Sequence, residues 1–199
     1  MNLLWKDQSL RFEPVILRFE PEQFENVFAH KNNKTVAETL THHRYRRLAD
    51  EVKRAYGQYL DWKLGEFLLH LKSQEDDFYL RFLNKYGDKK YSRFYIEDEL
   101  YWPQKGLYSY AVEDELRYIG RCRDSFKKRI NQGYGKIHPK NCYLDGQATN
   151  CHLNALLTEQ GERVKFWVYS LEDNHLIETM ERELIGHYNP LWNIALRSG

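Results

Sequence analysis

Long apolar runs are absent from this sequence of 199 residues, and so is an excess of charge of one sign. No stretch approaches the ~20 apolar residues that span a bilayer. The first residues, MNLLWKDQS, lack the apolar segment of a signal peptide. Cysteine is scarce, and an odd number (Cys122, Cys142 and Cys151) does not suit a disulfide framework. We therefore expect a cytoplasmic protein without a membrane partner.

The net charge is only +1, which argues against a globally basic nucleic-acid-binding protein. Basic residues are nevertheless concentrated in residues 121–140, where Asp124 is the one acidic residue. The seven basic side chains are Arg121, Arg123, Lys127, Lys128, Arg129, Lys136 and Lys140. Such a run is typical either of a solvated helix face or of a surface that binds a phosphodiester backbone. Its position directly after two predicted strands with tyrosines favours phosphate binding.

Tyrosine is abundant, with fifteen residues, and the most informative ones lie in those two strands. Residues 107–112 and 116–120 are rich in aromatic and aliphatic side chains, and the acidic break 113–115 between them predicts a β-hairpin. Residues 164–171 predict a third strand. Helices are expected from Ser125, over 149–157, and over 175–188, where Pro190 enforces the stop. Residues 100–199 thus predict an α+β domain with a small three-stranded antiparallel sheet flanked by helices.

The first 99 residues predict a different, mainly helical region. Residues 10–20 look extended, and Pro21 suggests a helix start. Apolar residues spaced by three or four predict a long helical stretch over 35–72, broken or bent at Gly57 or Gly65, and another piece over 74–86. A cluster around Tyr45 is either the wet side of a helix or a contact to DNA phosphates: His42, His43, Arg44, Arg46 and Arg47. We expect a boundary near residues 97–102, with residues 1–99 serving DNA recognition, dimerisation or both.

Four elements in residues 100–195 resemble the GIY-YIG nucleases. They are Gly106-Leu107-Tyr108, Tyr118-Ile119-Gly120, the basic helix start Lys127-Lys128-Arg129, and a final helix with Glu181 followed by Pro190 and Asn193. The family typically closes with a glutamate, a proline and an asparagine twelve residues after the glutamate, as here. The resemblance implies the three-stranded layout and a metal-dependent DNA endonuclease. It covers about half of the chain.

The resemblance also assigns roles to five residues. Tyr108 and Tyr118 would serve catalysis as phenols, Arg129 would stabilise charge on the phosphate, and Glu181 would hold Mg²⁺ or Mn²⁺. Asn193 would fix the tail or hydrogen-bond the residues around the metal. Free tyrosine has a pKa of about 10 and is a poor base until a cation lowers that pKa. Arginine at this position can supply such a charge and can donate two hydrogen bonds to phosphoryl oxygens.

Two departures from the family pattern leave the general base open. Arg129 lies nine residues after Gly120, where many members have eight. Many members also carry a histidine or tyrosine one helical turn after the arginine, and here that position is Gly133. Tyr134 or His138 are candidates for the role beside Tyr108 and Tyr118.

A competing metal site must also be weighed. His138, Cys142, Cys151 and His152 are zinc-type ligands, although they lack a CxxC pair and the last two are adjacent. Residues 141–147 look more like a surface loop.

The leading hypothesis from the sequence is a type II restriction endonuclease that cuts double-stranded DNA as a homodimer or larger homo-oligomer. The length of the chain and the order of its two regions favour this over a phage or homing nuclease, whose binding domain often follows the nuclease domain. The alternative from another class is a non-catalytic nucleic-acid-binding module on the same scaffold.

Overall fold

The computed structural model describes residues 1–194, which form an α+β fold with three separate sheets. The largest sheet is antiparallel and has four strands in the order β3 (Glu13–Val15), β8 (Val164–Ser170), β6 (Gly106–Val112) and β7 (Glu115–Cys122). Two smaller sheets pair β1 (Asn2–Trp5) with β2 (Gln8–Arg11), and β4 (Leu17–Phe24) with β5 (Tyr91–Ile96). The predicted hairpin over 107–120 is confirmed as β6 and β7.

The prediction of a small three-stranded sheet flanked by helices is wrong, because β3 adds a fourth strand from the other end of the chain. Pro14 of β3 lies opposite Trp167 of β8. An open β8 edge would expose unpaired backbone groups, and proline is tolerated on an edge strand because no ladder partner needs its missing N–H. The extended segment predicted over residues 10–20 contains β3, but nothing in the sequence indicated that β3 pairs with the distant strand β8.

The prediction of a mainly helical N-terminal region is wrong as well, since residues 2–24 contain four strands. The turn between β1 and β2 holds Lys6 and Asp7 at φ values of 46° and 64°. Two consecutive residues at positive φ are what a tight hairpin turn requires. Strand β4 runs on through Pro21, where a helix start was predicted.

The long helix predicted over residues 35–72 is divided into three short ones, α1 (Val36–Leu40), α2 (Ala49–Ala55) and α3 (Leu64–Ser73). The hydroxyl of Thr35 accepts a hydrogen bond from the N–H of Glu38, and the Glu38 carboxylate accepts one from the N–H of Thr35, which fixes the start of α1. The apolar residues show helical spacing because buried residues of all three helices pack into one core: Val36, Leu40, Val52, Leu64, Phe67, Leu68 and Leu71. Residues 77–82 form 3₁₀ turns instead of the second predicted helix.

By its packing the chain separates into two units. Of the described residues, the first unit comprises 1–22, 92–136 and 156–194, and the second comprises 23–91 and 137–155. The roles predicted for residues 1–99 (DNA recognition, dimerisation or both) and for residues 100–199 (nuclease activity) stay predictions. Over residues 1–194, every helix is too short or too polar to cross a membrane.

Helix α4 (Ala148–Gln160) forms where residues 149–157 predicted a helix, and α5 (Asn174–Tyr188) forms where residues 175–188 did. Helix α5 covers one face of the four-stranded sheet of the first unit. Leu107 of β6 and Ile119 of β7 pack against Ile177, Met180 and Leu184 of this helix. Because side chains alternate along a strand, the intervening residues of β6 and β7 lie on the opposite face of the sheet. That second face carries the tyrosines of the candidate site.

Candidate active site

The two tripeptides of the sequence lie side by side in the β6–β7 hairpin. Val112 pairs with Glu115 across the two-residue turn Glu113-Asp114, whose φ values are 52° and 67°. A register shift after Tyr110 then sets Tyr108 directly opposite Gly120. The hairpin thereby fixes which side chains face each other.

Gly120 is required because the ring of Tyr108 lies across it. A Cβ atom built on Gly120 would lie 2.4 Å from Cζ and 2.5 Å from the hydroxyl oxygen of Tyr108, and 2.6 Å from Cε1 of Tyr118. These distances are far inside van der Waals contact. The final glycine of the second tripeptide therefore makes room for the two tyrosines.

Five aromatic rings form one cluster on this face of the sheet. The rings of Tyr108 and Tyr118 are stacked with centroids 6.0 Å apart. Tyr110, Tyr134 and Phe166 surround them, with Tyr110 and Phe166 at 5.0 Å. Tyr108, Tyr110 and Tyr134 are fully buried, whereas Tyr118 keeps 7% of its surface exposed.

A π-helix over Lys127–Tyr134 brings Arg129 and Tyr134 into the cluster. At its end, the N–H of Gly135 donates to the carbonyl of Ile130 at 2.7 Å, a bond across five residues. The wider turn places Tyr134, five residues after Arg129, where an ordinary turn would have placed Gly133. The Arg129 guanidinium lies 4.7 Å from the centroid of the Tyr134 ring. Tyr134 thus takes the position that the sequence left open, while His138 is exposed and belongs to the second unit.

Arg129 is held by the phenols. Its Nε donates to the hydroxyl of Tyr108 at 3.3 Å, and the hydroxyls of Tyr108 and Tyr134 share a short hydrogen bond. Burial raises the pKa of Tyr108, Tyr118 and Tyr134, and although the charge of Arg129 acts to lower all three, it does not outweigh burial. With these side chains alone, the phenols are therefore neutral at pH 7 and the guanidinium stays charged.

Glu181 of α5 is buried and ion-paired. An Arg121 guanidinium nitrogen lies 2.6 Å from its carboxylate, and Arg121 also approaches Glu178, one helical turn earlier, at 3.4 Å. Burial raises the pKa of Glu181, while the charges of Arg121 and Arg129 act in the opposite direction. An ion pair this close normally lowers a carboxyl pKa, so desolvation is the stronger effect here. Glu181 and Arg121 lie on the α5 side of the sheet, and the charge of Arg129 reaches both this carboxylate and the phenols.

Asn193 closes the edge of β7. Its side-chain oxygen accepts a hydrogen bond from the N–H of Ile119 at 3.0 Å, and its amide nitrogen donates to the carbonyl of Ile119 at 2.8 Å. The N–H of Trp192 donates to the carbonyl of Arg117 at 2.8 Å. Of the two roles expected for Asn193, these contacts match the anchoring of the tail.

A groove with a volume of about 500 Å³ lies next to the end of β7, two residues after Ile119 along the chain. It is lined by Arg121, Cys122, Arg123, Asp124, Lys128 and Arg129. Four of these six residues are cationic, so the groove is suited to an anion. Its walls contain three of the predicted DNA-binding residues together with Arg129.

The other three predicted DNA-binding residues, Lys127, Lys136 and Lys140, do not line this groove. The Lys127 ammonium lies 3.7 Å from the centroid of the Trp102 ring. Lys136 is exposed, and Lys140 is exposed in the second unit. The groove thus contains three of the six predicted DNA-binding residues.

Glu181 offers a cation a single carboxylate. Its buried carboxylate already has the Arg121 guanidinium as a cationic partner, and Mg²⁺ is typically held by one or two carboxylates, waters and substrate phosphate. Among residues 1–194, no three histidine, cysteine or acidic side chains converge as a ready-made metal cage. The zinc alternative gains no support, since Cys142 and Cys151 lie in the core of the second unit near Tyr91, and His152 packs on Tyr86.

Comparisons of the chain with models of protein families, with curated proteins and with solved structures found no match. The likeness to the GIY-YIG nucleases therefore depends on the quoted tripeptides, Arg129, Glu181 and Asn193.

Proposed function

We propose that this protein is a metal-dependent DNA endonuclease of the GIY-YIG type that hydrolyses phosphodiester bonds in double-stranded DNA. The observation that carries the proposal is the position of Arg129. Its guanidinium donates to Tyr108, lines the cationic groove, and acts electrostatically on Glu181. One side chain thus connects the phenols, a place for a phosphate and a carboxylate that can hold a metal ion.

In this proposal the groove binds the scissile phosphate. Arg129 donates hydrogen bonds to phosphoryl oxygens and stabilises the negative charge that grows in the transition state. Its orientation is set before DNA arrives, because Tyr108 accepts a hydrogen bond from its Nε and the ring of Tyr134 lies beneath it. A preorganised guanidinium needs little rearrangement during the reaction.

The phenols act mainly as neutral groups that position their partners. Of the three, Tyr118 is the one that keeps solvent contact, so it is the phenol that meets the attacking water. A Mg²⁺ or Mn²⁺ ion on Glu181 would supply Lewis-acid chemistry and increase the acidity of a bound water. The hydroxyl of Tyr118 would accept a hydrogen bond from the attacking water and orient it.

The reaction class fits a restriction enzyme that acts as a homodimer or larger homo-oligomer, so that two sites cut both strands. Incubation of plasmid DNA with the protein and Mg²⁺ tests this. Discrete fragments whose ends map to one sequence are expected, whereas a smear would indicate a non-specific nuclease. Arg129→Ala should abolish cleavage, while the exposed control Arg163→Ala should not change it.

A non-catalytic nucleic-acid-binding module is the second candidate, favoured by two observations. Arg121 covers the Glu181 carboxylate, and all three phenols are at least 93% buried. This candidate predicts that plasmid DNA remains intact with Mg²⁺ or Mn²⁺ while its mobility in a gel is shifted. Cleavage that depends on Arg129 would rule it out.

A further inference from the structure

A second cationic pocket lies entirely within the second unit and has no part in the mechanism above. It has a volume of about 110 Å³, several times the ~30 Å³ that a water molecule occupies in the liquid. It is lined by Lys31, Asn33, Lys34, Thr39, His42, Tyr45, Lys140 and Asp145. Three lysines and a histidine therefore face one carboxylate.

The single carboxylate is already engaged with other groups. The hydroxyl of Tyr45 forms a short hydrogen bond with Asp145, and the backbone N–H of Asp145 lies 3.4 Å from the same hydroxyl. Burial acts to raise the pKa of Asp145, but this hydrogen bond and the charge of Lys31 outweigh it, so the pKa is lowered. Asp145 is thus ionised at neutral pH and fixed at the pocket wall.

The lysines are not neutralised. Within residues 1–194, Lys31, Lys34 and Lys140 form no ion pair with a carboxylate at 4 Å or less. Lys31 is half-buried with its ammonium 4.4 Å from the centroid of the Tyr143 ring. Burial lowers the pKa of Lys31, Asp145 opposes this, and the charges of Lys34 and Lys140 add to the lowering. The three ammonium groups therefore repel one another around a cavity large enough for a small anion.

The pocket is also rigidly built. Tyr143, beneath Lys31, is fully buried and donates its hydroxyl proton to the carbonyl of Phe28 at 2.9 Å. Tyr45, which holds Asp145, is buried as well and packs against Phe82. Lys31 and Asp145 are thus attached to the core of the unit, whereas Lys34 and Lys140 extend from its surface.

We propose that this pocket is a phosphate-binding site formed by Lys31, Lys34, Lys140 and His42. The phosphate is either one backbone phosphate of a nucleic acid or a small free phosphate compound. An anion between the ammonium groups replaces their repulsion by charge-assisted hydrogen bonds. The charge of Asp145 attracts the Lys31 ammonium and limits the positive charge of the site. The site functions whether or not the first unit cleaves DNA.

The test uses the full chain with Lys34 and Lys140 both changed to glutamine, which preserves side-chain length at two exposed positions. A matched control changes two other exposed lysines of the same unit, Lys53→Gln and Lys89→Gln. Both variants remove two positive charges, so any difference between them reports position and not net charge. Heat denaturation of both variants verifies that they remain folded.

In the first arm, inorganic phosphate is titrated at constant ionic strength while backbone amide signals are followed by NMR. Saturable shifts at Lys31, His42 and Asp145 are expected in the wild type and the control, and their loss is expected in the pocket variant. Absence of saturation in the wild type, or unchanged shifts in the pocket variant, would overturn the proposal.

In the second arm, binding of a non-cleaved DNA duplex is measured in EDTA over a range of salt concentrations. If the pocket takes a backbone phosphate, the pocket variant should show a slope of log affinity against log salt about 0.9 shallower than the control. Equal slopes combined with loss of inorganic phosphate binding would assign the pocket to a free phosphate compound. Because no divalent metal is present, this arm is independent of whether the protein is a nuclease.

Discussion

The guanidinium of Arg121 lies 2.6 Å from the carboxylate of Glu181, at the position where the proposed metal ion would bind. A cation must therefore compete with Arg121 for this carboxylate, or share it. Arg121 has an alternative partner in Glu178 of the same helix, at 3.4 Å. The Arg121 side chain can thus leave Glu181 and still keep an ion pair with Glu178.

Arg121→Gln is expected to increase metal affinity. Hydrogen bonds to charged groups contribute about 1.5–3 kcal/mol, so freeing Glu181 should strengthen Mn²⁺ binding by about tenfold or more at pH 8, as measured by calorimetry. Arg123 contacts Glu178 at 3.4 Å but has no contact with Glu181 among the ion pairs of residues 1–194, so Arg123→Gln is the matched control. Equal affinities in both variants would show that Arg121 does not compete with the metal ion.

The pH dependence of metal binding follows from the raised pKa of Glu181. Burial favours the neutral carboxyl, so the ionised form that binds a metal appears at a higher pH than for an ordinary glutamate. Mn²⁺ affinity should fall as the pH decreases through this raised pKa. Since the charge of Arg121 acts to lower the pKa, Arg121→Gln should move the acidic limb to still higher pH. A limb at the pH of an exposed glutamate, unmoved in the variant, would contradict the burial of Glu181.

Gly120→Ala should destabilise the protein through the tyrosines. The new Cβ would lie 2.4 Å from the Tyr108 ring, which is fully buried and has little freedom to move. Overpacking of this kind costs about 1–3 kcal/mol, measured as the change in unfolding free energy in urea. Gly186→Ala in α5 is the control, because nothing lies within 4 Å of its Cβ position, and alanine there should stabilise by about 0.5–1 kcal/mol. If Gly120→Ala were tolerated as well as Gly186→Ala, the close packing of the Tyr108 ring against Gly120 would be incorrect.

Tyr134→Phe should reduce both stability and cleavage. It removes the hydroxyl that shares a hydrogen bond with Tyr108 and leaves the ring under Arg129 in place. We expect a loss of about 1 kcal/mol in unfolding free energy and at least a tenfold decrease in cleavage rate, because the Tyr108–Arg129 contact is no longer fixed.

Tyr110→Phe is the matched control for that change. The Tyr110 hydroxyl is equally buried, yet it has no hydrogen-bond partner within residues 1–194. Its removal should be neutral or slightly stabilising. Equal effects of the two substitutions would argue against a specific role for the Tyr134 hydroxyl.

The sequence predicted the hairpin of Tyr108 and Tyr118 well, because both strands carry strong local signals and the turn is acidic and short. Residues 10–20 were correctly expected to be extended, but the pairing of β3 with β8 could not be predicted, because the partner strand is distant along the chain. The sequence predicted a long helical stretch over residues 35–72 with a break or bend at Gly57 or Gly65, whereas the structure has three short helices there. Residues that face a common core show helical spacing even when turns separate them.

The residues of the candidate site could likewise be predicted only in part, because some of them are brought together by contacts that are distant in the sequence. The resemblance selected Arg129 from its position after Gly120, and Glu181 from its spacing to Asn193. The π-helix that brings Tyr134 beside Arg129, however, depends on contacts with the sheet. The extra residue between Gly120 and Arg129 and the glycine at position 133 were the signals of an altered helical turn. The pairing of Arg121 with Glu181 joins residues sixty positions apart, and nothing local in the sequence indicates it.

Glu181→Gln tests most directly whether cleavage depends on a metal ion held by Glu181. Cleavage and DNA binding are measured on the same samples. The amide keeps the size of the side chain but removes the charge that would hold the metal ion. We predict that Mg²⁺-dependent cleavage of plasmid DNA falls by at least a hundredfold while the affinity for DNA in EDTA changes by less than about threefold. Cleavage by the Glu181→Gln variant at the wild-type rate would show that Glu181 does not hold a metal ion that cleavage requires.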